Sequence, residues 1–112
     1  MSPASVAPLG ALEEQILVAV LRTRDEAFGM EVRREIERVT GRELAIGAVY
    51  ATLDRLESKG LVTSRRTHAE GGSRRLFGVT AKGARALGDT HAMRERLWRG
   101  IDLQRLALLA RA

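Results

Sequence analysis

The chain has no cysteine, two prolines, four aromatic side chains and only two lysines among its 112 residues. Without thiols there is no disulfide framework and no thiolate metal site. No metal or cofactor site is expected, and His68 and His91 read as surface residues. The longest apolar run, Ile16 to Leu21, is far short of the roughly 20 residues that span a bilayer. Met1 to Pro8 lacks a basic stretch followed by an apolar core, so no secretory signal is expected and the reading is cytoplasmic, with no membrane partner. No nucleophile is paired with a base, Gly71-Gly72 is a turn signal and not a phosphate loop, and no carboxylates pair in a cleft. An enzyme is not expected. At this length one domain is the default, burying about two thirds of the unfolded surface.

What the chain does have is arginine, unevenly placed. The net charge is +5, yet residues 1–40 are net acidic. Between Leu61 and Gly83 the bases are Arg65, Arg66, Arg74, Arg75 and Lys82, opposed by Glu70 alone. Charge gathered in this way points to a polyanion-facing surface, and the planar guanidinium suits phosphates and guanine edges.

Hydrophobic spacing then orders the chain. Leu9, Leu12, Ile16, Leu17, Val20 and Leu21 recur at the 3-and-4 interval of an amphipathic helix, which ends at Asp25-Glu26. A second helix runs from about Phe28 to Thr40 with Val32, Ile36 and Val39 inward, and Gly41 stops it. A third runs from about Ile46 to Lys59, turning Val49, Leu53 and Leu56 inward and ending at Gly60. The period changes at Leu61. Leu61 to Thr67 and Leu76 to Val79 read as two short strands joined by a turn at Glu70, Gly71, Gly72 and Ser73, a hairpin with a basic tip. Thr80 caps a last helix from Ala81 to about Leu109, about 43 Å long at 1.5 Å per residue. Gly88 and Gly100 each cost it roughly 1 kcal/mol, which leaves a break near Gly100 open. The fold class is therefore mainly α with a small β-hairpin: a flexible segment at 1–8, a winged helix-turn-helix domain at 9–80, and a C-terminal dimerisation helix at 81–112.

In a winged helix-turn-helix the third helix enters the major groove. Its outward face here carries Gly47, Ala51, Asp54, Arg55 and Ser58, flanked by Ala48, Tyr50 and Thr52. The small residues admit the helix start to the groove floor. Tyr50 and Thr52 can donate to phosphates, and Arg55 reaches phosphate or guanine. Asp54 either pairs with a nearby arginine or accepts from a cytosine amine. Adjacent arginines in a strand point to opposite faces, so of Arg65 and Arg66, and of Arg74 and Arg75, only one each lies squarely against DNA.

Four segments carry a resemblance: LGALEEQILVAVL (Leu9–Leu21), AFGMEVRREIE (Ala27–Glu37), GAVYATLDRLESKGLV (Gly47–Val62) and GGSRRLFGVTAKG (Gly71–Gly83). Together they resemble the PadR family of bacterial transcriptional regulators, over roughly Leu9 to Trp98. The shortness of the C-terminal region resembles the subfamily that dimerises through a single C-terminal helix. The resemblance implies a repressor in which Tyr50 touches the DNA backbone, Arg74 and Arg75 lie in the wing, and Phe28-Gly29 opens the second helix. Ala45 stands where the family often has serine, losing a cap worth roughly 1 kcal/mol. Leu76 and Phe77 stand where it has paired aromatics.

The last helix makes the same case for a homodimer. Met93, Leu97, Ile101 and Leu108 share one face of a continuous helix, with Trp98 beside them, and Leu12 and Ile16 of the first helix join the expected dimerisation surface. Two-fold symmetry would set two third helices against a pseudo-palindromic operator with half-sites about one turn or a multiple apart. The resemblance also leaves room for a small hydrophobic or aromatic effector at this interface, contacting Met93, Leu97 and Trp98, although Trp98 reads first as interface packing. The alternative function is a winged-helix module that docks an acidic protein without specific DNA binding.

Overall fold

In the computed structural model, which describes residues 8–69 and 72–112, the apolar stripes become five helices and three strands. These are α1 (Ala11–Arg22), β1 (Glu26–Phe28), α2 (Gly29–Thr40), α3 (Ile46–Ser58), β2 (Val62–Ala69), β3 (Gly72–Val79), α4 (Ala81–Trp98) and α5 (Leu103–Ala110). The expected flexible lead at 1–8 lies, except for Pro8, outside the described residues, as do Glu70 and Gly71 of the expected turn. No described helix is long and apolar enough to cross a membrane.

Local chemistry starts the helices. In α1 and α2 the glutamate three residues in reaches back to the amide before the helix, Glu13 to Gly10 at 3.0 Å and Glu31 to Phe28 at 2.9 Å. This satisfies one of the donors every helix start leaves open. Thr80 caps α4 as expected, accepting from Gly83 at 3.0 Å. Gly41 follows α2 in the left-handed region, φ 73°.

The three stripes meet in one core. Ile16, Leu17 and Val20 of α1, Val32 and Ile36 of α2, and Val49, Leu53 and Leu56 of α3 close on one another, and Phe77 enters from the sheet. Ile16 is therefore wholly enclosed in its own chain, which corrects its expected place on a partner-facing surface, and Leu12 packs at the edge of the same core. Val39, expected inward, is exposed near the end of α2, at the rim of an open apolar groove that it shares with Val18 and Ala19 of α1.

The sheet holds one strand more than the sequence pattern shows. Arg24 and Asp25, at φ 67° and 68°, turn the chain out of α1 so that β1 pairs with β3, giving the antiparallel order β1-β3-β2. Three residues are too few to show a period. The hairpin is also longer than expected. Ladder pairing continues from Val62↔Val79 to Ala69↔Gly72, so Gly72 and Ser73 belong to β3 and not to a four-residue turn.

The expected single C-terminal helix is two. The first half of α4 lies on the body through the small side chains of Gly83, Ala86 and Thr90, and Thr90 accepts the buried Leu9 amide at 3.1 Å. A side chain at Gly83 would collide with the Leu61 carbonyl. The helix ends at Trp98, Gly100 takes φ 83°, and Asp102 caps α5 by accepting from the Gln104 and Arg105 amides. The break puts Ile101 in the link between the two helices and Leu108 on a helix separate from that of Met93 and Leu97.

Two outcomes follow from this packing. Phe77→Ala removes a ring with no exposed surface and should cost about 3–5 kcal/mol in denaturant unfolding. The second concerns acid. Hydrogen bonds from Arg38 and then Arg22 hold the Glu35 carboxyl down at about 2, and the Lys59 ammonium holds Glu13 below its ordinary value. Because both groups titrate lower in the folded chain, their stabilisation is complete above about pH 4.5 and is lost as pH falls toward 2. The melting temperature should fall over that window, and Glu35→Gln should flatten part of the fall.

Candidate nucleic-acid interface

The outward face of α3 is small and open at its start. Gly47, Ala48 and Ala51 are exposed, nothing lies within 4 Å of a Cβ built at Gly47, and no acidic side chain occupies the first turn. Ala45 precedes the helix in extended conformation without a side-chain cap. The helix start is thus a region of partial positive charge that another backbone can approach closely. Arg55 stands exposed one turn beyond Ala51.

Thr52 departs from expectation. It is buried, because it lies three residues after Val49 and belongs to the same inward stripe, and its hydroxyl accepts from Arg55 at 3.3 Å. It supports Arg55 and has no surface to offer a phosphate.

Tyr50 leans away from the core stripe. Its ring covers Gly29 so closely that a Cβ there would lie 2.5 Å from the ring. It stands 6.5 Å from the Phe77 ring at an interplanar angle of 54°. In this way Tyr50 joins the start of α2, the start of α3 and the wing. The three border a cleft of about 600 Å³ lined by Phe28, Met30, Glu31, Arg34, Tyr50, Arg66, Ser73, Arg74 and Arg75.

The four wing arginines have different surroundings. Arg74 holds its guanidinium 5.4 Å above the Phe28 ring and makes no ion pair among the described residues. Arg66 donates to the Ser73 hydroxyl at 3.3 Å. Arg75 lies 4.7 Å over the Phe77 ring and pairs with Asp54 at 2.8 Å and Glu57 at 2.7 Å. The hydrogen bond to Asp54 raises the Arg75 pKa above its ordinary value, and of the two roles open to Asp54 the structure shows the arginine pair. Arg65, on the same sheet face as Arg74, turns instead to Glu26 at 3.3 Å and does not line the cleft.

The cleft thus gathers Tyr50, Arg66, Arg74 and Arg75 from the expected set, beside the open start of α3, and leaves out Arg65 and Thr52. Sequence reasoning missed Met30 and Arg34. Their signal was the outward face of the second helix, which in a helix-turn-helix crosses the nucleic-acid backbone.

Away from this face, Leu97, Trp98, Ile101 and Leu106 line a hollow of about 340 Å³, and every residue of α5 is exposed. Met93, half-buried, lies on α4 before this hollow and does not line it. Leu108 is exposed on α5. No described group of three or more His, Cys, Asp or Glu side chains is arranged to hold a metal.

The close contact of Tyr50 with Gly29 gives a coupled expectation. Gly29→Ala should destabilise the chain by about 1–3 kcal/mol, and most of that loss should vanish in a Tyr50→Ala background, measured as a double-mutant cycle in denaturant. Equal losses in both backgrounds would mean that the ring does not seat the helices.

Comparison with known proteins agrees with this architecture. Residues 16–89 match the Transcriptional regulator PadR-like family. No curated protein matches the chain significantly. Among solved structures, a PadR family transcriptional regulator from Eggerthella lenta superposes with TM-score 0.66 at 23% identity, covering 77% of this chain and 76% of that one. A PadR family transcription regulator from Clostridium difficile gives 0.62 at 25% identity over 89% and 99% of the two chains. Bacillus subtilis PadR in complex with operator DNA gives 0.63 at 22% identity, over 73% of this chain and 47% of that one. With the family match spanning most of its length and these neighbours sharing its winged-helix fold, the chain belongs to the PadR-like family of transcriptional regulators.

Proposed function

We propose that the chain represses transcription in the cytoplasm by binding a pseudo-palindromic operator as a homodimer. The single observation that carries this reading is the placing of Arg34, Arg66 and Arg74 with Tyr50 around one cleft, against the uncapped start of α3. Such a set neutralises phosphates along one strand while α3 lies in the adjacent groove. The operator complex of the Bacillus subtilis relative supports the same use of the fold. Gly47, Ala48 and Ala51 let the helix approach the bases, and Arg55 reads them.

The homodimer is supported by the C-terminal segment. Leu97, Trp98, Leu103, Leu106, Leu108 and Leu109 are all large apolar side chains in water. A contiguous apolar surface of that kind calls for a cover, and a second copy supplies one with matching chemistry. The hollow around Trp98 offers a flat hydrophobic effector a place to stack, and filling it would alter the spacing of the two α3 helices.

The test is a gel shift with the DNA upstream of the chain's own coding region. Wild-type protein should bind, with affinity falling steeply as salt rises. Arg74→Ala should weaken binding to all sequences alike and reduce the slope of log K against log salt by roughly 0.9 for each phosphate the arginine neutralises. Changes at Ala51 or Arg55 should alter sequence preference instead. Leu106→Asp should shift sedimentation toward a single copy. Absence of any retarded band at micromolar protein would favour the protein-docking module.

A further inference from the structure

Arg74 and Arg75 are adjacent, equally charged and both in the wing, yet their side chains do different things. The ladder places Arg75 opposite Arg66 and Phe77 opposite Ser64, so Arg75, Phe77, Arg66 and Ser64 share one face of the sheet. Arg74, opposite Thr67, takes the other face. On the first face, α3 offers Asp54 and Glu57, one helical turn apart. Arg75 spans both, with separate guanidinium nitrogens at 2.8 and 2.7 Å, while the face of the buried Phe77 ring supports it from below. Glu57 also accepts from the Ser64 hydroxyl at 2.8 and 3.0 Å, so its carboxylate ties both wing strands to α3.

We infer that Arg75 is a positioning residue, which fixes the angle of the wing to the recognition helix and leaves phosphate binding to Arg74 and Arg66. This inference rests on the DNA-binding reading and goes beyond it, since the family resemblance places both arginines in the wing without dividing their work. Three features argue against Arg75 turning outward to a phosphate. Its fork already meets two carboxylates in charge-assisted bonds. Its release would leave Asp54 and Glu57 unpaired on the side of the helix that approaches a polyanion, where each would repel it. It would also uncover the face of the Phe77 ring. Arg74 has no such commitments among the described residues, only the Phe28 ring beneath it.

The two roles predict opposite signs for one variant. If Arg75 were a phosphate ligand restrained by acids, Asp54→Asn with Glu57→Gln would release it, remove two negative charges and tighten operator binding. As a positioning residue it loses its anchors, and the same double variant weakens binding. Operator affinity and its salt slope are measured for the full chain and for Arg74→Ala, Arg75→Gln and Asp54→Asn/Glu57→Gln, together with amide exchange in the free proteins.

Arg75→Gln and the double acid variant should each lose at least about tenfold in affinity with the salt slope unchanged, while Arg74→Ala lowers the slope. In the free protein both should speed exchange in β2 and β3 and leave α1 and α2 as they are. Tighter binding by the double acid variant, a lowered slope for Arg75→Gln, or unaltered exchange and affinity in both would overturn the assignment. If the unaltered chain binds no DNA, the operator reading fails, and the exchange data still decide whether Arg75 holds the wing.

Discussion

The Phe77 ring is where the sheet and the helices become one body, and the rest of the structure depends on its burial. It has no exposed surface although every other residue of its strand is exposed or only partly buried. Along β3 only this side chain is fully enclosed, and β1 contributes Ala27 directly opposite it in the ladder. A three-stranded sheet whose inner face offers, beside Ala27, only Phe77 with Val62 and Val79 has little reason to stay ordered by itself. Packing Phe77 among α1, α2 and α3 supplies that reason, and it also fixes where the outer side chains stand. Tyr50 tilts against its edge and Arg75 lies over its face. The basic wing is therefore held by the hydrophobic core, and its electrostatics are a consequence of that packing.

Much of this was legible in the sequence because helices of a dozen residues carry a full amphipathic period. Val49, Leu53 and Leu56 alone placed α3, and the Gly41 and Gly60 stops bounded α2 and α3. Legibility failed where a residue's fate depends on what packs against it. Thr52 lies at the i+3 position of the Val49 stripe, and only a third layer of chain makes that stripe wide enough to bury it. Ile16 belongs to the amphipathic stripe of α1, and spacing alone cannot say whether such a stripe is buried in its own chain or against a partner. The strand β1 is set by two left-handed residues, Arg24 and Asp25, neither of which is a glycine to announce the turn. At Gly100 the local signal was present, and Asp102 behind it is a good cap, but a long apolar face argued for continuity.

The break after Trp98 changes what the C-terminal segment can do. A continuous helix would carry its apolar stripe straight on from α4, and two copies would meet along one line. With Gly100 in the left-handed region and α5 newly capped, the apolar surface bends around the hollow of Leu97, Trp98, Ile101 and Leu106. Its exposed side chains then face two directions instead of one.

The net charge of the chain says little about where it would attract a polyanion, because many of its ionic groups are already paired with one another. Arg22 and Arg38 share Glu35, Arg33 meets Glu37, Lys59 meets Glu13, Arg94 meets Glu14 and Arg65 meets Glu26. These pairs lie on the helical body and on the sheet outside the cleft, and they neutralise those surfaces locally. Around the cleft, by contrast, Arg34, Arg66 and Arg74 have no carboxylate partner among the described residues, and Arg55 on α3 has none either. Exposed pairs of this kind add little stability. Their larger effect is subtractive: they silence the arginines that would otherwise draw a phosphate backbone to the wrong face. Arg75 belongs to the silenced group although it borders the cleft, and it in turn neutralises the two acids that α3 presents beside it. A small excess of positive charge thereby becomes a directional one.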